Sequence, residues 1–479
     1  MNDVRKVEVA IIGAGSAGMR AYRTVSKETD SVVLIEGGAY GTTCARVGCM
    51  PSKLLIAAAE AAHAGQHTKP FGVEFGQPVI DGKSVMQRVR DERDRFVGFV
   101  VEDVENWPEE QRIKGFARFV SDNRLVINDE VEIEAERIII ATGSRPNIHE
   151  SFYAFEDRLI INDDIFQWQD LPESVAVFGA GVIGLELGQA LHRLGVRVSL
   201  FGRGQSVGPL TDPAVIDKAI DIFSHEFPFH TDVEVTTHRR TDDGVEIEYL
   251  KNGETITEQF DYVLAATGRK PNLDKLGLEN TNLTLDERGI PDIDLHTGQI
   301  ENSHIFIAGD VNAVFPLLHE AADEGAIAGY NAAHYPDIRR FKKSSPIGVI
   351  FSDPQIMLVG QTHQELAASG IDFEIGELDW RGQGRSRVML VNQGLLRVYG
   401  ERNTGRFLGA EMIGPRAEHL SHLLAWAHQS NLTVSEILER PFYHPVVEEG
   451  VRTALRNLNY ALKMGSKPPA RCIDCGPGA

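Results

Sequence analysis

The hydrophobic pattern is dominated by short apolar runs, each ending at a glycine turn. Val7-Glu-Val-Ala-Ile-Ile12 reads as a buried parallel strand. It runs into Gly13-Ala-Gly15-Ser-Ala-Gly18, a helical pattern follows from Met19, and a second apolar run, Val32 to Ile35, ends at Glu36. The design recurs: Ser174 to Phe178 leads into Gly179-Ala-Gly181-Val-Ile-Gly184, then a helix, then Val196 to Phe201. Ile138-Ile-Ile-Ala-Thr142-Gly143 and Val263-Leu-Ala-Ala-Thr267-Gly268 are buried strands with near-identical turns, and Ile305-Phe-Ile-Ala ends in Gly309-Asp310. The pattern predicts an α/β chain with two Rossmann-like dinucleotide-binding domains.

Each glycine has a physical task. Gly13 permits the tight turn, Gly15 lets backbone approach a pyrophosphate, and Gly18 lets helix and strand pack closely. The helix amino terminus then faces the phosphates, and Glu36 can accept hydrogen bonds from ribose hydroxyls. Gly179, Gly181 and Gly184 repeat these tasks, but Gly202 stands where the second acid belongs and Arg203 follows it. Without a carboxylate the penalty against a ribose 2′-phosphate disappears, and a guanidinium can bind one, so this site tolerates NADP as well as NAD. Two nucleotide sites in one chain imply electron passage between two bound dinucleotides.

Composition narrows the partners. The chain has 479 residues, enough for roughly three domains. Lys plus Arg number 48 against 69 Asp plus Glu, a net charge of -21, which disfavours nucleic acid and anionic membranes. No apolar run reaches the roughly 18 residues that span a bilayer. Arg5 and Lys6 before Val9 to Ile12 mimic a signal peptide, but glycines break the run at once. Four cysteines are too few for a secreted disulfide scaffold, so a cytoplasmic location is expected. No metal site is expected, since a lone CxxC cannot fill a tetrahedral zinc site.

The chemistry lies in Gly41-Thr-Thr-Cys44-Ala-Arg-Val-Gly-Cys49-Met-Pro-Ser-Lys53. Residues five apart on a regular helix rise about 7.5 Å and point apart, so a Cys44–Cys49 bond requires a distorted turn, which Gly48 and Pro51 help supply. A helix starting near Cys49 would stabilise a thiolate there. This segment, both glycine motifs, both Ala-Thr-Gly turns, Gly309-Asp310 and the late His444-Pro445 together resemble the pyridine nucleotide-disulfide oxidoreductases. Within that family the chain looks most like the dihydrolipoamide dehydrogenases, up to about residue 465.

The resemblance implies an FAD-binding domain over 1–147 and 276–345, an NAD(P)-binding domain over 148–275, and an α+β dimerisation domain over 346–465. Residues 466–479 form a cysteine-containing tail. FAD is implied at the first unit, with Gly13, Gly15, Gly18, Glu36, Lys53, Ala117, Thr142, Gly143 and Asp310 about it. NAD(P) is implied at the second, with Gly179, Gly181, Gly184, Glu186, Arg203 and Gly268. Cys49 matches the charge-transfer thiol, Cys44 the interchange thiol, and Lys53 with Glu186 the family's ion pair. In a homodimer His444, oriented by Glu449 or its neighbour Glu448, would complete the partner's site as acid and base. The family's spacing favours Glu449. Pro445 suits the first turn of an amphipathic helix with His444 at its end.

Three functions are compared. The first is dihydrolipoamide dehydrogenase, oxidising a small dithiol, either free or on a lipoyl domain. The second is an NADPH-dependent disulfide or metal reductase, in which Cys472 and Cys475 form a second redox pair that exchanges with Cys44. Gly202-Arg203 and the tail pair count towards it, as does Arg23, placed where glutathione reductases carry a substrate arginine, while Phe442 and Val446, where the lipoamide enzymes commonly have His and Thr, put the substrate in doubt more than the reaction type. Against a mercuric reductase, His444 stands where those enzymes usually have tyrosine. The third is a non-catalytic flavoprotein binding module.

Overall fold

The computed structural model describes residues 4–464. The chain opens on β1 (Arg5–Ile12), turns through the glycines into α1 (Ser16–Val25) and returns in β2 (Val32–Glu36). A short helix α2 (Thr43–Val47), then α3 (Cys49–Gln66) and α4 (Gly82–Glu105), cross over before β3 (Val131–Ile140). The second unit follows as β4 (Ser174–Phe178), α5 (Val182–Arg193), β5 (Arg197–Phe201), α6 (Pro213–Glu226) and β6 (Tyr262–Ala265). The chain then rejoins the first sheet at β7 (Ile305–Ile307) and α7 (Leu318–His334).

In the first sheet β7, β3, β1 and β2 are neighbours and run parallel, with Ile12 level with both Ile35 and Ile140. Parallel strands need cover on both faces, which is why these runs are apolar throughout. On one face α1 and α7 meet through small residues. A Cβ added to Gly325 would lie 2.2 Å from the Ala17 carbonyl oxygen. The second sheet is a five-stranded parallel one centred on β4, beside an antiparallel meander of Glu234–Arg240, Val245–Lys251 and Glu254–Phe260. A two-stranded ribbon, Ser144–Pro146 with Arg269–Pro271, ties the two units together.

The carboxyl-terminal part is a five-stranded antiparallel sheet, from Ile347–Ile350 to Phe407–Gly414, packed against α8 (Ala417–Gln429) and α9 (Glu449–Ala461). The whole is therefore two Rossmann-like units plus an α+β domain. Among the described residues no helix is long and apolar enough to cross a membrane.

One buried carboxylate joins the second unit to the third sheet. Glu411 accepts the Thr211 N–H at 2.7 Å, the Thr211 hydroxyl at 2.6 Å, the Asp212 N–H at 2.9 Å and the His363 N–H at 2.8 Å. Asp212, which caps α6, accepts from Arg397 and from the Tyr399 hydroxyl, each at 3.0 Å. Burial pushes the Tyr399 phenol far above its ordinary range.

The carboxyl-terminal helix departs from expectation. The helix expected to open at Pro445 starts four residues later, at Glu449. The Glu449 carboxylate reaches back to accept the Val446 N–H at 3.2 Å and the His444 ring, so these residues are held as a turn before the helix begins.

Candidate functional site

The cysteine pair straddles a break between two helices. Thr42 caps α2 through its hydroxyl, accepting the Ala45 N–H at 3.2 Å, and α2 ends at Val47. Gly48, with φ -126° and ψ -114°, interrupts the helical path, and Cys49 becomes the first residue of α3. The break is what brings thiols five residues apart into hydrogen-bonding contact. Outside the pair, Asn162 holds the break by donating to the Val47 carbonyl at 2.7 Å.

The two thiols differ electrostatically. Neither is bonded to the other in this structure; Cys44 is half-buried and Cys49 exposed. Cys44 donates to Cys49, which, with burial, raises the Cys44 thiol far above its ordinary value. The same hydrogen bond, reinforced by the nearby Lys53 ammonium, holds Cys49 down at about 7. Cys49 is thus the thiolate of the pair near neutral pH, at an uncapped helix amino terminus that also favours negative charge.

Lys53, one turn along α3, pairs with Glu186 of α5 at 2.7 Å and lies 4.5 Å over the Phe351 ring. The other Glu186 oxygen accepts the Phe351 N–H at 3.0 Å. The pair is therefore gripped from the third sheet as well as from both nucleotide units. Nothing in the sequence singled out Phe351, because its backbone amide and its ring act on residues far away along the chain.

The first glycine turn fits a dinucleotide pyrophosphate. A Cβ on Gly13 would lie 2.3 Å from the Ala141 oxygen and one on Gly18 1.8 Å from the Gly13 oxygen, whereas one on Gly15 would meet nothing within 4 Å. Open space thus faces the first turn of α1, which has no capping side chain and no acid. Glu36 receives the Ala14 and Gly38 N–H groups, each at 2.7 Å and on separate oxygens, which leaves lone pairs for ribose hydroxyls. Ala117 is buried at the start of a strand just past Gly115, whose N–H donates to the Glu36 carbonyl at 3.0 Å.

Asp310 accepts from the Ser144 hydroxyl at 3.0 Å, and Ser144 in turn receives Arg269 through its hydroxyl at 2.8 Å and its carbonyl at 2.6 Å. Ser144 and Arg269 were not singled out in the sequence; they come from the ribbon between the units. Thr142 is committed to the residue that follows the ribbon, donating to the Asn272 carbonyl at 2.9 Å, while Gly143 supplies the positive φ of 65° its turn needs.

The second turn matches the first. A Cβ on Gly179 would lie 2.2 Å from Ala266 O and one on Gly184 1.9 Å from Gly179 O, with open space at Gly181. The first turn of α5 has neither cap nor acid, so the residues fit a second dinucleotide. Gly268 adopts φ 101° and accepts the Asn147 N–H at 2.9 Å, and Arg203 is exposed in the turn after β5.

His444 is exposed on the third domain, its Nδ1 lying 3.0 and 3.1 Å from the two Glu449 carboxylate oxygens. That hydrogen bond holds the Glu449 carboxyl below its ordinary value. Glu448 stands immediately before α9 and its side chain makes no capping hydrogen bond. Arg23 pairs with Asp103 of α4 and lies 5.7 Å over Trp107, so it braces the first unit. Cys472 and Cys475 lie outside the described residues.

Comparison with known proteins agrees with this geometry. A family model described as pyridine nucleotide-disulphide oxidoreductase matches residues 7–325, and one for that family's dimerisation domain matches 347–455. The dihydrolipoyl dehydrogenase of Geobacillus stearothermophilus is 30% identical over 456 residues, covering 93% of this chain and 94% of that protein. The dihydrolipoyl dehydrogenase of Haloferax volcanii is 30% identical over 464 residues, covering 94% and 96%. In fold the chain resembles the HOCl-induced flavoprotein disulfide reductase RclA from Escherichia coli, with TM-score 0.79 and 22% identity over 96% of this chain and 100% of that one. LpdA from Mycobacterium tuberculosis gives TM-score 0.79 at 23% identity, over 95% and 100%.

Proposed function

This chain belongs to the pyridine nucleotide-disulphide oxidoreductase family, flavin enzymes that use FAD and NAD(P), and on that premise we propose that it oxidises a small dithiol of the dihydrolipoyl type. The observation that carries the reading is the pair of unequal thiols beside the Lys53–Glu186 ion pair, at the meeting of both nucleotide units.

With Cys44 and Cys49 joined as a disulfide, a substrate thiolate attacks Cys44, the S–S bond breaks, and Cys49 leaves as a thiolate. Cys49 is the better leaving group because Lys53 and the end of α3 stabilise its charge. His444 takes the proton of the second substrate thiol at Nε2, since Nδ1 is engaged by Glu449. The second thiolate then attacks the substrate sulfur held on Cys44, releasing the cyclic disulfide and leaving two electrons on the cysteine pair. FAD supplies the acceptor for those electrons and NAD the hydride carrier that removes them. The dimerisation-domain match supports a homodimer, and in it His444 of one protomer serves the cysteines of the other.

The proposal is tested by the initial rate of NAD reduction by dihydrolipoamide at 340 nm. Steady turnover supports it. No rate, in protein whose flavin NADPH still bleaches, overturns it in favour of the second reading, NADPH-driven reduction of another disulfide or a metal. That reading rests on Gly202-Arg203, which lacks the acid that discriminates against a 2′-phosphate, and on Phe442.

A further inference from the structure

The connector from α7 to the third sheet carries Arg339, Arg340, Lys342 and Lys343. Lys343 is turned inward. Its Nζ lies 3.0 Å from Glu320 Oε2 and 2.7 Å from Glu324 Oε1, two carboxylates of α7 whose side chains are 6% and 5% exposed. Two buried carboxylates one turn apart repel each other and require a cation. Burial presses the Lys343 ammonium down, and the carboxylates more than offset that, leaving it above its ordinary value.

The second Glu324 oxygen faces away from the lysine. It accepts the Gly309 N–H at 2.9 Å and the Asn312 Nδ2 at 2.7 Å, and Asn312 Oδ1 accepts the Val314 N–H at 2.9 Å. A continuous set of bonds thus runs from the connector lysine, through one buried carboxylate, to the loop that holds Asp310. That loop has little slack: a Cβ on Gly309 would lie 3.0 Å from the Ala17 Cβ of α1. His319 lies 4.0 Å from Glu320, and Asp323 accepts from the Ser344 hydroxyl beside Lys343 at 3.5 Å.

We infer that Lys343 is a positioning residue for the FAD site: it sets Glu324 so that the Gly309–Asn312 loop presents Asp310, coupling the connector of the dimerisation domain to flavin binding. This rests on reading Asp310 as an FAD ligand.

The test is FAD release from full-length holoprotein on dilution, followed by flavin fluorescence. Lys343→Met should raise the FAD Kd about tenfold or more, and Lys343→Arg should stay within about threefold of the parent. NAD(P) affinity should not change. Amide exchange at Gly309 should accelerate while Gly179, in the glycine turn of the second unit, keeps its protection; a general loss of stability would move both. Should Lys343→Met not fold, Lys343→Met/Glu320→Gln removes one buried charge with the lysine and should still bind FAD more weakly. An FAD Kd within about twofold of the parent in either variant overturns the inference. Asp310→Asn separates the two failures. If it leaves FAD affinity unchanged, the ligand reading falls and the inference with it. If it weakens FAD while Lys343→Met does not, the inference falls alone.

Discussion

The two glycine turns are the same object built twice, and they differ at one place. Their steric limits agree within a tenth of an ångström: 2.3 and 2.2 Å at the first glycine, 1.8 and 1.9 Å at the third, open space at the second. At the end of the following strand the first unit has Glu36, bonded to the turn, and the second has Gly202. A Cβ on Gly202 would lie 3.0 Å from Ala180 Cβ, and the Gly202 N–H donates to the His230 carbonyl at 2.6 Å. The missing acid is therefore built into local packing. The comparison teaches that the two turns offer a pyrophosphate the same space, so any difference in ribose preference between the units has to come from the strand end.

The strongest way to break the comparison is at the third glycine. Gly18→Val should give protein without the flavin absorbance near 450 nm, because the helix can no longer sit on its turn. Gly184→Val should keep that absorbance and lose reduction by NAD(P)H. Colourless protein in both cases would mean the units do not bind separately.

The cysteines should answer next. Cys44→Ser should retain flavin and lose at least about a thousandfold in dithiol turnover; full retention would mark a binding module. His444→Gln should cost about a hundredfold or more in kcat, read in the same assay.

A smaller effect concerns Cys49. Its thiol is held near 7 against an ordinary 9.0, so alkylation of the reduced pair by iodoacetamide should rise as pH increases through about 7. Lys53→Met should move that rise to higher pH, since it removes a cation that favours the thiolate. An unmoved midpoint would assign the depression to Cys44 and the helix end alone. The mildest change sharpens the comparison itself: Gly202→Glu should shift the NADP/NAD ratio of kcat/KM towards NAD by about tenfold, with a modest loss of stability from displacing Ala180.

Much of this was legible because it is local. Glycine spacing, the strand preceding each turn and the CxxxxC segment are all encoded within about thirty residues, and the helix break at Gly48 follows from the need to bring the thiols together. The meander was legible in principle, since Val245, Ile247 and Tyr249 alternate with Glu246 and Glu248. Phe351, Ser144 and Arg269 were not, because each acts through a partner far away in sequence, and Lys343 was not, because a lysine among exposed basic residues carries no sign that it turns inward. Glu186 and Phe351, for instance, are 165 positions apart. The start of α9 was misjudged because a proline suited to a first helical turn carries no sign that a later glutamate will turn back. Arg23 was misleading for a similar reason: a helix arginine does not announce that Asp103 and Trp107 will hold it.

The Glu411 clasp has a consequence for descent. A nucleotide unit exchanged by recombination would take Thr211 and Asp212 with it, while Glu411, Arg397 and Tyr399 stayed behind. Each unmatched group would be left buried without its partner, at a cost of about 1–3 kcal/mol apiece. The two parts look like modules but are heritable only together, so a viable chimaera has to carry both sides of the clasp.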